Sequence, residues 1–296
     1  MCGLLISVEL VVAARVHFEG LFCIVSLEKK RVIRVVKSLV PVPAFVFARR
    51  LYRSIYSLKY RGNKFHCSFC GRTFSEFLPA GYDLPVLKEH DVVGGGRRYN
   101  AICPNCYSHD RERLVFLYLK AKKGEVFKDH LRILHVAPEL NLGPALKANK
   151  HADYVSSDLS SRLAGQKMDV TAINEPDDSF HVVICNHVLE HVLEDVKAMR
   201  ELYRVLKPGG FAILQVPLSF KLSESIEDPN VVSEQERERV FGQKDHVRLY
   251  GKDYVTRLRE AEFKVTLEEF VKEMDEESIK RHGLNSKEVL FICEKI

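Results

Sequence analysis

Apolar positions along the chain fall into short runs and helical stripes. Val182-Val183-Ile184-Cys185 is a brief, β-branched apolar run and predicts a buried strand. Beyond it, Val192, Leu193, Val196, Met199, Leu202 and Val205 recur at three- and four-residue spacing, which predicts a helix with one apolar face. Lys207-Pro208-Gly209-Gly210 should end that helix, because proline cannot continue it and glycine tolerates the reversal. Phe211 to Val216 should be the next strand. Strand, crossover helix and strand make a parallel βαβ unit whose helix covers one face of a sheet.

The same pattern predicts strands at Arg132 to Pro138, at Asp153 to Asp158 and in the short run Lys167 to Val170. A helix is expected over Lys252 to Ala261, followed by a terminal antiparallel hairpin from Phe263 to Phe270 and Val289 to Ile296. Ser108 to Lys120 reads as a helix with Ser108 as N-cap and with Leu114, Leu117, Tyr118 and Ala121 on one face. Arg111 and Arg113 then belong to its solvated side, with a cofactor cleft as their other destination. Lys221 to Arg239 is too polar for a buried strand and suits a loop or lid. Gly94-Gly95-Gly96 reads as a hairpin tip or flexible loop; no Gly-Lys-Ser/Thr follows, so it is not a phosphate loop.

Charge divides the chain. The 296 residues carry a formal charge of +5, distributed as +9 over 1–64, +2 over 65–127 and −6 over 128–296. Three regions are expected: a basic and apolar N-terminal extension (1–64), a cysteine-bearing module with its connecting helix (65–127), and a sheet domain (128–296). The acidic sheet domain argues against an embrace of nucleic acid. Residues 4–14 are apolar but short and interrupted by Glu9, so neither a membrane span nor a signal peptide is expected, and the location expected is cytoplasmic. The basic amphipathic stretch 28–64 is read first as packing on its own domain, and second as a peripheral contact with an anionic membrane.

Four of the eight cysteines form two Cys-x-x-Cys pairs, Cys67 with Cys70 and Cys103 with Cys106. Each pair sets two thiolates on one tight turn, and two such turns complete a closed four-cysteine zinc site. With no open position the zinc is expected to be structural, and a small module of this kind draws folding free energy from it.

The residues Asn186-His187-Val188-Leu189-Glu190-His191-Val192, followed by Arg204-Val205-Leu206-Lys207-Pro208-Gly209-Gly210, resemble the core of class I S-adenosylmethionine-dependent methyltransferases of type 11. That resemblance implies a Rossmann-like α/β fold: a seven-stranded, mostly parallel sheet with helices on both faces, here preceded by a small zinc-binding module. It implies S-adenosylmethionine as cofactor, held by Ala137, Pro138, Glu139, Asp158, Leu159, Asp169, Val170 and Asn186. The loop after the first strand departs from the family, with His135 for an acidic residue and Ala137 and Glu139 for glycines. Asp158, at the end of the second strand, is placed to accept from a ribose diol.

The activity implied is methyl transfer to a small-molecule or saccharide acceptor, on oxygen, with a glycan partner in view. The competing readings are an RNA methyltransferase that docks through the zinc module, and a non-catalytic binding protein. A hydroxyl acceptor must lose a proton, and a histidine titrating near neutrality suits that task. His246, beside Asp245 and after the polar insertion, is the first candidate, and His187 the second.

Overall fold

The computed structural model describes residues 51–160 and 164–296. The extension and its basic arm therefore lie outside the described residues as far as residue 50. The chain divides into two compact units, residues 1–59 with 104–106 and residues 60–103 with 107–296. In the first, residues 51–56 are helical, and Ser54 Oγ donates to Asn105 Oδ1 at 3.1 Å.

The second unit opens with β1 (Arg61–His66), β2 (Thr73–Phe74), β3 (Leu78–Ala80), α1 (Pro85–Glu89), β4 (Arg98–Ile102) and α2 (Asp110–Lys122). β1 pairs with β2 and β3 with β4, both antiparallel. There follow β5 (Arg132–Val136), α3 (Leu142–Lys147), β6 (Asp153–Asp158), β7 (Gln166–Lys167), β8 (Phe180–Cys185), α4 (Asp195–Val205) and β9 (Leu206–Ile213). The chain closes with β10 (Ile226–Glu227), α5 (Glu234–Phe241), β11 (Arg248–Leu249), α6 (Tyr254–Glu260), β12 (Lys264–Glu268), α7 (Glu276–Arg281) and β13 (Leu290–Glu294).

Seven strands form one sheet in the order β12-β13-β9-β8-β5-β6-β7. β13 runs antiparallel to both neighbours, and the other pairs are parallel. This is the expected Rossmann-like methyltransferase sheet with its terminal hairpin. Alternation along each strand feeds two cores. Leu134, Val183, Cys185, Ala212 and Phe291 face one side, against Ala198, Met199 and Leu202 of α4 and Tyr254 and Leu258 of α6. Ile133, Val182, Ile184, Ile213 and Ile292 face the other, against Leu114, Val115 and Leu119 of α2 and Leu142 and Leu146 of α3. The two-residue period of a strand buried on both faces accounts for the unbroken apolar runs.

Several local expectations need correction. Lys207 to Gly210 is not a turn before the strand but a bulge within β9: Phe180 pairs with Leu206, and the ladder resumes at Val182 with Phe211. Gly209, at φ 75°, lets the bulge form. Val192 and Leu193 precede α4 rather than sharing its face, and Leu193 is exposed. Ser108 is not the cap of α2. His109 is, in a reciprocal capping box with Glu112. Arg113 is not on a solvated face: it is fully buried, and its guanidinium donates to backbone carbonyls of Ala101, Ser108, His282 and Gly283. The third strand is Gln166–Lys167 alone, because Asp169 turns back onto Thr171.

The triple glycine is held in place. Arg98 donates to the carbonyls of Gly94 and Gly96 at 3.0 and 2.8 Å and pairs with buried Asp110 at 2.6 Å. Val93 and Leu218 exchange backbone hydrogen bonds at 2.9 and 3.1 Å, which fixes the segment beyond the end of β9.

Candidate methyl-transfer site

Open parallel sheets bind ligands beyond the carboxyl ends of their strands, where the chain order reverses. Here the reversal lies at β5, flanked by β6 and β8. Immediately after β5, Ala137 adopts φ 48°, a left-handed conformation that glycine takes far more readily. The backbone thus keeps a glycine-type turn although the side chain has changed. Its N–H donates to Ser157 O at 2.7 Å, which ties the turn to β6.

Two residues on, Glu139 is clasped. Its Oε2 lies 2.5 Å from His135 Nε2, and its Oε1 accepts from Asn186 Nδ2 at 3.0 Å. His135 is fully buried, with Nδ1 3.0 Å from the Tyr154 hydroxyl. Burial opposes ionisation of Glu139, but the His135 imidazole and the Asn186 amide outweigh it and hold the carboxyl down at about 2. An ionised carboxylate therefore stands between the ends of β5 and β8. The departures from the family loop are a coupled pair, His135 with Glu139.

Asp158 ends β6, and its Oδ1 accepts from Ser160 N at 2.7 Å. Leu159 is exposed beside it. Asp169 Oδ1 accepts from Thr171 N and Oγ1 at 2.9 and 2.8 Å, and Val170 enters the core. Ala137 to Glu139, Asp158, Leu159 and Asn186 thus lie at the carboxyl ends of consecutive sheet strands, with Asp169 and Val170 just past the short β7.

His187 lies two residues past β8, with φ 56°. Its ring nitrogens are shielded from solvent among ionisable groups. Nδ1 lies 3.4 Å from Glu190 Oε1, yet neither ring nitrogen makes a hydrogen bond. Burial, then the Arg111 guanidinium, pushes its pKa down to about 4, against the pull of Glu190, so the ring is neutral at physiological pH. A β-carbon on Gly94 would lie 3.5 Å from His187 Cε1 and 3.6 Å from Glu288 Oε1. Glu288 is itself buried, and burial together with Asp110 raises its carboxyl to about 7. His246 is buried near Glu190, its ring in an edge-to-face pair with His191 at a centroid separation of 4.8 Å. The sequence pattern does not place Glu190, Glu288 or Gly94 at the site. Only Glu190 carried a signal there, within the motif that supports the family resemblance.

The cysteine turns match one another. Gly71 N donates to Cys67 O, and Tyr107 N to Cys103 O, each at 2.9 Å, with φ 67° at Gly71 and 62° at Tyr107. Cys67, Cys70, Cys103 and Cys106 bring their sulfurs within 4.8 Å of one another. Cys70 and Cys103 are 3.8 Å apart, the edge of a tetrahedron whose metal–sulfur bonds are about 2.3 Å. Cys67 Sγ also lies 3.3 Å from Ser108 Oγ. The donor set fits a closed zinc site.

Residues 137–214 match the family model described as a methyltransferase domain, type 11. Within the sheet domain, residues 137–214 thus carry a methyltransferase domain. Solved structures similar to the chain include a [4+2]-cyclase, SpnF (16% identity, covering 62% of this chain and 80% of that one, TM-score 0.41). They also include a putative methyltransferase from Bacillus halodurans (19% identity, covering 59% and 93%, TM-score 0.37). A third is an S-adenosylmethionine-dependent methyltransferase from Mesorhizobium loti (17% identity, covering 56% and 90%, TM-score 0.38). No curated protein matches the chain in sequence. Among the described residues, no helix is long and apolar enough to cross a membrane.

Proposed function

We propose that the chain methylates a hydroxyl oxygen of a small-molecule or saccharide acceptor. The observation that carries this reading is His187, a neutral imidazole just past the carboxyl end of β8 whose shielded ring nitrogens have no hydrogen-bond partner. Bound S-adenosylmethionine supplies an electrophilic sulfonium methyl. Asp158 accepts from its ribose diol, Glu139 attracts its ammonium, and the left-handed turn at Ala137 brings backbone close to it. His187 takes the acceptor's proton as the oxygen attacks, and Glu190, 3.4 Å away, stabilises the imidazolium that results. Asn186 orients Glu139 and occupies the place where a base-amine methyltransferase would carry a proline-rich motif. The four cysteines hold a structural zinc ion. The acidic balance of 128–296 favours this acceptor class over RNA.

The test is label transfer from tritiated S-adenosylmethionine into fractionated glycans, metabolites and RNA. Label in a nuclease-resistant, hydroxyl-bearing acceptor is expected, and nuclease-sensitive label would refute the acceptor class. His187→Gln should lower turnover on the order of a hundredfold with cofactor affinity nearly unchanged. Normal turnover in that variant would remove His187 from the chemistry.

A further inference from the structure

Next to this site, Glu190, His191 and His246 bring one carboxylate oxygen and two imidazole nitrogens within 4.8 Å of one another. We propose that these three side chains bind a divalent transition-metal cation, at a site separate from the four cysteines.

The first argument is the state of Glu190. Its side chain is 2% exposed, and Oε2 has no hydrogen-bond partner. Among the described residues no lysine or arginine comes within 4.0 Å of it; its ionic neighbours are His187 at 3.4 Å and His191 at 4.0 Å. A carboxylate withdrawn from water needs donors or a cation, and Oε2 has neither.

The second argument is the orientation of His191. Its Nδ1 lies 3.1 Å from the Asp245 backbone oxygen, so the ring donates its proton there and presents the Nε2 lone pair to Glu190. Ligand imidazoles are held in this way, with the distal N–H on a carbonyl or carboxylate. The 4.0 Å between His191 Nε2 and Glu190 Oε1 is too long for a hydrogen bond. It suits two ligands of one ion, since bonds of about 2.0–2.2 Å set ligand atoms roughly 3–4 Å apart. His246 crosses His191 at 82°, and one of its ring nitrogens lies within 4.8 Å of the ligand atoms of both Glu190 and His191.

The frame is fixed by backbone contacts. Val247 N donates to Glu190 O at 2.9 Å, holding the residue after His246 against the glutamate. The Arg248 guanidinium binds the carbonyls of Leu189, Val192 and Leu193, so the turn carrying Glu190 and His191 is braced from the same side. Two imidazoles and one carboxylate favour zinc, manganese, iron or cobalt over magnesium or calcium. Three protein ligands leave positions open for water or an acceptor oxygen, unlike the closed cysteine set. Coordination of an acceptor oxygen rests on the methyl-transfer reading; the cation site itself does not.

Full-length protein as purified, its cysteine site left filled, is saturated with Co2+, desalted and analysed for total metal. Two ions per chain are expected. The ion outside the cysteines should show weak d–d absorption, without thiolate-to-cobalt charge transfer. Glu190→Gln and His191→Gln should each bind one ion and retain the cysteine-bound metal, with a far-UV spectrum like that of the parent. One ion in the parent, or two in both variants, overturns the proposal. Because no turnover is measured, a negative result here leaves the methyl-transfer reading standing, and loss of that reading leaves this one standing.

Discussion

Replacing Arg113 tests how the cysteine-bearing segment is joined to the rest of its unit. The guanidinium donates to Ser108 O at 2.5 Å, His282 O at 2.8 Å, Ala101 O at 2.9 Å and Gly283 O at 3.0 Å, with no solvent exposure. It also lies over the Phe77 ring, 4.6 Å from the centroid. Arg113→Met fits the same volume but leaves those buried carbonyls short of donors. Hydrogen bonds to charged groups contribute about 1.5–3 kcal/mol each, but removing a buried cation also returns its desolvation cost. The net loss expected is about 3–5 kcal/mol, because several buried carbonyls lose their donor at about 1–3 kcal/mol each while the desolvation cost of the cation is returned. Arg113→Lys keeps the charge without the planar fork and cannot reach all the carbonyls, so it should recover less than half of that loss. Urea unfolding followed by circular dichroism gives both values. Ser108 O also accepts from Cys103 N at 3.0 Å, so zinc should leave the Met variant faster in a chromophoric chelator assay. A Met variant within about 1 kcal/mol of the parent, or a Lys variant equal to it, would refute the reasoning.

Three further outcomes are expected. Glu288 has a folded pKa of about 7 against an ordinary value near 4.5, so its carboxyl binds more protons in the native state between these values and its own contribution to stability should fall as pH rises through that window. In unfolding midpoints taken from pH 4 to 8 the parent should lose stability relative to Glu288→Gln as pH rises, and a difference that does not change with pH would refute the assignment. Ala137→Gly relieves a left-handed alanine and should stabilise the fold by up to about 1 kcal/mol in thermal unfolding; a destabilised variant would show that the turn is unstrained. Asp158→Ala should weaken S-adenosylmethionine binding at least tenfold by calorimetry through loss of charge-assisted hydrogen bonds, and unchanged affinity would move the ribose elsewhere.

The parallel sheet was legible because its strands are buried on both faces and show as unbroken β-branched runs. The edge strand β7 was misjudged because Met168 and Val170 are apolar without being strand: they reach the core from a turn. The polar side of α2 was read as solvated, although Asp110, Glu112 and Arg113 are all buried. Their partners are remote: Arg98 for Asp110, Asn141 and Leu142 for Glu112, His282 and Gly283 for Arg113. Periodicity cannot distinguish a polar stripe facing water from one facing distant backbone. The cysteine turns were visible because each Cys-x-x-Cys pair is local in sequence. The placement of Glu288 against Gly94 was not, since it depends on how a loop near the C-terminus returns over the sheet.

The turn after β8 has a bearing on how this chain can vary. From Asn186 to His191, side chains address different neighbours: Asn186 reaches Glu139, His187 lies by Gly94 and Glu190, and His191 reaches Asp245. Each can be exchanged singly, at a local cost. An insertion or deletion of one residue would instead rotate all of them off their partners at once, because a single short arc sets their directions. Length polymorphism in this chain should therefore collect in the exposed segments around Asp228–Asn230 and stay out of 186–191, a pattern that a library of random one-codon insertions scored for soluble expression would reveal.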